Sequence, residues 1–135
     1  MISLLLIGCS KSKKAQEAFE NIKAEVDSGS AEAVVLALEY AYPNMREFLT
    51  IVDSGLVSQD EKIRAASYIC ISAMKEMDES GGLATRVDSN TLEIFRRFDW
   101  KNEGVGYQIH SDPEYKKKNV PTVIDFERRN RKYQK

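Results

Sequence analysis

Residues 14–42 read KAQEAFENIKAEVDSGSAEAVVLALEYAY, and this stretch decides the fold class. Its first half repeats apolar residues at steps of three and four, the spacing that puts side chains on one face of an α-helix. The pattern predicts a helix from about Lys14 to Val26. The residues that share its apolar face are Ala15, Ala18, Phe19, Ile22 and Val26.

A turn divides this stretch into two helices. Within Asp27–Ser30, Gly29 suits the left-handed conformation that stops a helix, and Ser30 suits the cap of the next one. The second helix is predicted over Ala31–Tyr42 and is apolar on nearly all sides, which indicates a central position. Val34–Leu38 alone also fits a buried strand, but the length of the run and its alanines favour a helix.

Helical spacing continues downstream of this stretch. Pro43 breaks the preceding pattern, and a third helix is predicted over Asn44–Val52. A fourth helix is predicted over Asp60–Met77, where Ser58 and Glu61 have the spacing of a capping box. The middle of the chain therefore consists of helices joined by short turns.

The last third of the chain is less regular. A fifth helix is predicted over Ser89–Phe98, with Ser89 as its cap. Tyr107–Ile109 then alternates like a short strand, and Val120–Phe126 fits a second strand or an extended arm. The predicted fold class is mainly α: an antiparallel helical stack with a less regular C-terminal segment that has room for a short β-hairpin.

The block DSGLVSQDEKIRAAS, Asp53–Ser67, resembles the junction inside a HEAT or armadillo repeat. An apolar pair is followed by a short acidic turn and then by an aliphatic residue, Arg and small residues. Alanines let two helices approach closely, and acidic residues suit the positive end of a helix. The resemblance covers about residues 15–77. It implies a HEAT-like helical stack, with the remaining C-terminal segment as its cap.

Upstream of these helices, Leu6–Cys9 reads LIGC and resembles a bacterial lipobox. In a lipobox the Cys thiol receives a lipid, and the segment before it is removed. The resemblance implies lipidation of Cys9, a signal-like segment with a polar tether over residues 1–14, and a single helical domain over residues 15–135. It implies a location in the cell envelope or periplasm, and a cytoplasmic location is the alternative.

Two other interpretations of the N-terminal segment stay open. Met1–Ser3 carries no Lys or Arg, and Leu4–Ile7 is shorter than the usual apolar region of a signal peptide. Ile2–Cys9 therefore also fits a short buried strand or the first turn of a helix. Gly8–Lys14 has the Gly, hydroxyl and Lys residues of a phosphate loop but lacks the second Gly before the Lys.

Composition bounds the class of protein. The chain has 135 residues, of which 42% are hydrophobic and 30% are charged, and these values are typical of one soluble globular domain. The net charge of -1 does not indicate nucleic acid or an anionic membrane as a partner.

The C-terminal end is basic, and we interpret it as a solvated terminus. Its basic residues are Lys116, Lys117, Lys118, Arg128, Arg129, Arg131, Lys132 and Lys135.

Candidate catalytic chemistry centres on one histidine. His110 is followed by Asp112 and Glu114, and these residues suit a metal site or acid–base chemistry only with a further fixed partner. The sequence names no such partner, so an exposed loop histidine is favoured. Cys70 lies in an apolar helical run that favours a buried, inert thiol. The sequence predicts no catalytic residue, no cofactor and no metal ion. We therefore expect that the protein is not an enzyme.

Aromatic and arginine residues indicate where a partner binds, because Tyr, Trp and Arg anchor protein interfaces. Trp100 is the exception, since we expect it to close the bottom of the helical core. The predicted partner-binding residues are Tyr40, Tyr42, Arg96, Arg97, Tyr107 and His110.

These features favour a non-catalytic protein-binding module. Small bacterial proteins of this kind include immunity proteins, which occlude a toxin or effector, and acidic helices suit basic groups on such a partner. The alternatives are an accessory envelope lipoprotein, a nucleic-acid-binding module that uses the basic end, and an enzyme centred on His110. Another protein is the expected partner. We expect contact with a membrane only through the lipid anchor, and we do not expect nucleic acid to be a partner.

Overall fold

The computed structural model describes residues 2–115, 117 and 118, with side chains from Ser10 onward. The predicted arm at Val120–Phe126 and the basic residues from Arg128 lie outside the described residues. The α-helices are α1 (Ile2–Val26), α2 (Ala31–Leu38), α3 (Met45–Gly55), α4 (Glu61–Glu79), α5 (Ser89–Arg96) and α6 (Glu103–Ser111), and a 3-10 helix spans Tyr42–Asn44.

The first turn follows the sequence prediction. Gly29 has a φ of 67°, the left-handed conformation expected of it. The Ser30 hydroxyl accepts a hydrogen bond from the Ala33 amide at 3.1 Å, so Ser30 caps α2. Helix α1 begins at Ile2 rather than near Lys14, so the helix is longer at its N-terminal end than predicted.

Helix α2 ends at Leu38 and not at the predicted Tyr42. Pro43 explains the difference, because a proline has no amide hydrogen to donate, and in a continuous helix its ring would clash with the Glu39 carbonyl. The chain instead turns through residues 39–41 into the short 3-10 helix. This turn brings Tyr42 into the core, where only 6% of its surface is exposed.

The start of α4 differs from the predicted capping box of Ser58 with Glu61. The residue at the cap position is Asp60, whose carboxylate accepts a hydrogen bond from the Lys62 amide at 2.9 Å. The Ser58 hydroxyl accepts from the Asp60 amide at 3.1 Å, one step too early to cap the helix. Both residue types suit this position, and Asp60 adds a negative charge at the helix N-terminus.

Helices α1 to α5 contribute side chains to the core. Helix α1 packs against α2, α3 and α4, and α3 packs against α4 and α5. The Phe19 and Phe48 rings meet across the α1–α3 contact with centroids 6.4 Å apart. The predicted apolar face of α1 is buried. The largest fully buried side chains are Phe19, Phe48, Ile22, Leu38, Leu49, Leu56, Ile69, Ile71, Met74, Leu83, Val34 and Val52.

Helix α6 replaces the strand that was predicted at Tyr107–Ile109, so that prediction is wrong. Its buried residues, Gly106 and His110, are four apart, which is the spacing of one helical face. Gly106 lets α6 approach α3–α4 closely, because a Cβ atom there would lie 3.0 Å from Leu56 Cβ. The part of the chain that the structure describes is mainly α and contains no strand.

Helix α5 begins and ends close to its predicted bounds, but its cap is Asp88 rather than Ser89. The Asp88 carboxylate accepts a hydrogen bond from the Thr91 amide at 2.7 Å, and these contacts lower its pKa. Trp100 is half-buried and packs on the core through Phe98, with ring centroids 4.7 Å apart, as predicted. Among the described helices, none is long and apolar enough to cross a membrane.

Candidate partner-binding surface

An exposed apolar surface lies on α2 and the turn after it. Leu36 is 60% exposed and Tyr40 is 72% exposed, and the two residues are four apart in sequence. Together they flank a shallow groove between α1 and α2 with a volume of about 420 Å³. We name this the α1–α2 groove; its lining residues are Asn21, Ala24, Glu25, Ala33, Leu36, Ala37 and Tyr40.

One carboxylate lines the α1–α2 groove, and three more lie near it on the same helices. Glu17 and Glu20 lie one turn before the lining residues of α1, Glu25 lines the groove itself, and Glu32 lies one turn before Leu36 on α2. Glu20 is paired with Lys23 at 3.1 Å, so part of this charge is neutralised within α1. The surface therefore combines exposed apolar side chains with a negative rim.

Leu36 was not predicted as a binding residue, because the sequence of α2 is apolar on nearly all sides. The signal that identifies it is the placement of two acidic residues. Glu32 and Glu39 are four before and three after Leu36, and both are exposed. Because residues three and four apart share a helix face, these two residues mark the solvent face on which Leu36 lies.

Of the predicted aromatic pair, only Tyr40 is available at the surface. Tyr42 is buried beside the ion pair between Arg86 and Glu39, whose charged atoms are 3.0 Å apart. Burial raises the pKa of the Tyr42 phenol well above its usual value. The prediction of Tyr42 as a partner-binding residue conflicts with this burial, and we assign Tyr42 to the core.

The two predicted arginines at the end of α5 are engaged in ion pairs. Arg96 donates to Asp78 on α4 from Nη2 at 2.8 Å and from Nε at 3.1 Å. Its hydrogen bond to Asp78 raises the pKa of the Arg96 guanidinium. Arg97 donates from Nε to Glu93 at 2.9 Å and remains largely exposed. Arg96 thus holds α5 to α4, while Arg97 stays at the surface.

His110 is buried in an aromatic cluster, so the interpretation of it as an exposed loop histidine is wrong. Only 6% of its surface is exposed. Its ring stacks on Tyr68 with centroids 4.1 Å apart and meets Tyr115 edge-on at 4.3 Å. Tyr107, also predicted as a binding residue, meets the same Tyr68 ring edge-on at 5.8 Å. The structure therefore brings Tyr107 and His110 together as packing residues of α6.

The protonation state of His110 follows from this packing. Burial lowers its pKa to about 4, opposed by the hydrogen bond with the Arg64 carbonyl and assisted by the positive charge of Arg64. Nε2 lies 3.3 Å from that carbonyl oxygen, which accepts, so Nε2 carries the hydrogen. His110 is thus neutral at physiological pH.

The residues weighed above for a metal site, His110, Asp112 and Glu114, do not form a ligand cluster. The Asp112 carboxylate accepts a hydrogen bond from the Glu114 amide at 2.8 Å and thereby shapes the turn after α6. Among the side chains that the structure describes, no three His, Cys, Asp or Glu residues come together as metal ligands. Cys70 is a free, fully buried thiol whose pKa is raised by burial. The Cys9 side chain lies outside the described side chains.

A second groove lies between α3, α5 and the loop that follows α5, with a volume of about 940 Å³. Both signs of charge line it, since Arg46, Arg97 and Lys101 alternate with Glu93 and Asp99. On its floor Asp53, which is buried, accepts hydrogen bonds from the Lys101 amide at 3.1 Å and the Asn102 amide at 2.9 Å. These bonds hold the loop to the end of α3, and the mixed charge indicates no single class of ligand.

Comparison of the chain with protein-family models, with curated proteins and with solved structures gives no match. The site is therefore characterised by its own geometry: a helical domain with buried His110 and Cys70 and an acidic, partly apolar groove at its surface.

Proposed function

We propose that this protein is a non-catalytic binding module that occludes a partner protein, in the manner of bacterial immunity proteins and inhibitors. The observation that carries the proposal is the exposure of Leu36 and Tyr40 side by side on the α1–α2 groove. Large apolar side chains clustered at a surface are typical of interaction sites, and Tyr is among the commonest interface anchors.

The energetics support a binding role for this surface. Burying a Leu side chain completely stabilises by about 1.5–3 kcal/mol, a contribution that α2 does not gain from Leu36 in the isolated domain. Leu38, two residues away, is fully buried in the core. The core contact of α2 therefore does not depend on Leu36, which lies on the outer side of the helix. A partner that covers Leu36 and Tyr40 recovers this contribution on association.

The architecture supports the same role. The described helices pack into a stack compatible with the HEAT-like arrangement that Asp53–Ser67 resembles. Such stacks present the outer faces of successive helices as binding surfaces. This support is an analogy at the level of the fold, and the specific argument remains the composition of the α1–α2 groove.

The location of the module depends on the N-terminal segment. With a lipid on Cys9 the protein protects a target in the cell envelope, and without it the protein acts in the cytoplasm. Intact-mass measurement of the protein purified from its own host separates these two versions. A diacylglyceryl mass on a chain beginning at Cys9 establishes the envelope version, and an unmodified Cys9 excludes it.

Chemical cross-linking in the native host tests the proposed function. The tagged full chain is cross-linked, the adduct is identified by mass spectrometry, and the purified partner is assayed with and without the chain. We expect a defined complex with an unrelated protein and loss of that protein's activity when bound. A partner whose activity is unaffected, or a chain that forms no adduct, would contradict the proposal.

A further inference from the structure

We infer that the α1–α2 groove receives a basic amphipathic helix of the partner protein. The inference rests on the proposed function and adds the place and the chemistry of binding. The carrying observation is that exposed Leu36 and Tyr40 line the groove together with three alanines and the Glu25 carboxylate.

The shape of the groove suits a helix. Ala24 on α1 and Ala33 and Ala37 on α2 line it, and these small side chains allow a backbone to approach closely. Leu36 on α2 and Tyr40 in the turn that follows α2 stand exposed on one side of the groove. An amphipathic helix placed there presents apolar residues at steps of three and four to the two side chains.

The charge of the groove specifies a basic occupant. Glu25 lines the groove, and Glu17 and Glu32 extend the negative rim along α1 and α2. The exposed Lys14 lies one turn before Glu17 and limits the rim at its outer end. Lys and Arg residues flanking the apolar stripe of a partner helix complement these carboxylates and accelerate association.

The same charges disfavour other occupants. A second copy of the chain, paired through a two-fold axis, would place this groove against itself, with Glu17, Glu25 and Glu32 facing the same carboxylates. A nucleic acid would bring its phosphates against the rim. Like charges in contact lower affinity, so a basic helix is the occupant that satisfies both the apolar and the charged parts of the surface.

A photoreactive phenylalanine derivative at position 40 or position 107 of the full chain tests whether the partner binds at the α1–α2 groove. Tyr40 is 72% exposed and Tyr107 is 36% exposed, so position 107, where one side of the ring packs on Tyr68, serves as a partly exposed control on α6. We expect adducts with the partner from position 40 only. Adducts from position 107 alone would leave the proposed function standing but overturn the inference. Adducts with a second copy, with the chain's own basic end or with nucleic acid at position 40 would also overturn it.

A model peptide tests the chemistry independently of the partner's identity. The probe is an amphipathic Leu/Lys helix of about four turns, and its Leu/Glu counterpart is the control. We expect the Leu/Lys peptide to bind at least about tenfold more tightly, with an affinity that falls as salt is added. Equal binding of the two peptides would overturn the inference.

Two lysine substitutions locate the peptide on the surface. Leu36→Lys places a cation in the groove and should weaken binding of the Leu/Lys peptide by about tenfold or more. Val105→Lys adds the same charge on α6, where Val105 is also exposed, and should change binding less than about twofold. Circular dichroism confirms that both variants fold. Equal losses in the two variants would show that the peptide binds through overall charge and would overturn the inference.

Discussion

The close approach between Gly55 at the end of α3 and Ser67 on α4 leads to a quantitative prediction. A Cβ atom added at Gly55 would overlap the Ser67 hydroxyl and would lie 3.1 Å from Ser67 Cβ and 3.2 Å from Ile63 Cγ2. Ser67 is fully buried, and rotation of its hydroxyl would not move the Ser67 Cβ atom away from the added carbon. Gly55→Ala therefore forces α3 away from α4 or distorts one of the two helices.

The magnitude follows from two opposing contributions. Overpacking of a buried contact costs about 1–3 kcal/mol, and more where a short side chain cannot rotate away. Alanine in a helix regains about 0.5–1 kcal/mol over glycine. The clash with Ser67 places the cost at the upper end of its range, so we expect Gly55→Ala to lower the free energy of unfolding by about 1–2 kcal/mol.

Ser67→Ala provides the matched partner variant. The Ser67 hydroxyl finds no hydrogen-bond partner among the described residues, and an unpaired buried hydroxyl is destabilising by about 1–3 kcal/mol. Removing it should be neutral or stabilising alone. In the double variant it removes the overlapping atom, although the Cβ–Cβ distance of 3.1 Å stays shorter than a usual carbon contact. We expect partial rescue, with a coupling of about 1–2 kcal/mol.

Urea unfolding followed by far-ultraviolet circular dichroism measures all four proteins of this cycle. The reasoning is refuted if Gly55→Ala changes the free energy of unfolding by less than about 0.5 kcal/mol. It is also refuted if Ser67→Ala gives additive and not compensating effects, because the Ser67 side chain would then not be the obstacle.

Three further predictions follow from the packing of α6 and α4. Gly106→Ala should destabilise by about 0.5–2 kcal/mol through its contact with Leu56, whereas Gly104→Ala, with no atom within 4 Å of its added Cβ, should be neutral or stabilising in the same urea assay. The pKa of His110 is about 4 in the folded protein, below its usual 6.5, so between these pH values the unfolded chain binds a proton that the folded protein does not. The free energy of unfolding should therefore keep its full value above about pH 6.5 and fall by about 2–3 kcal/mol as the pH is lowered towards 4. His110→Gln should flatten that part of the pH profile of unfolding free energy, and an unchanged profile would contradict the assignment. In a Cys9→Ser background, the remaining thiol, Cys70, should react with a thiol reagent only as fast as the protein opens, and rapid labelling of the native state would contradict its burial.

Sequence periodicity predicted most of the helical core for a physical reason. The apolar residues of Lys14–Val26 and Asp60–Met77 recur at helical steps because each helix has one buried face, and both faces are buried as expected. The turn at Gly29 and Ser30 was predictable because both residues act locally, through their own φ or their own hydroxyl.

The sequence predictions were wrong where tertiary contacts, and not the local sequence, determine the structure. Tyr107–Ile109 alternates in polarity like a strand, but packing of Gly106 against Leu56, fifty residues earlier in sequence, places the segment in a helix. The burial of His110 depends on Tyr68 and Tyr115, whose positions no local pattern specifies. Leu36 lies in a run of apolar residues, and only the helical phase relative to Glu32 and Glu39 distinguishes it from its buried neighbours.

The hydrogen bonds from Lys101 and Asn102 to the Asp53 carboxylate have a kinetic consequence. Amides in a connecting loop normally exchange with solvent rapidly, but these two donate to a buried acceptor on α3. Their exchange therefore requires that the loop detach from α3, an opening that also removes the anchor at the N-terminal end of α6. Because this contact closes a segment of almost fifty residues, we expect the loop and α6 to dock late in folding and to open together in hydrogen exchange.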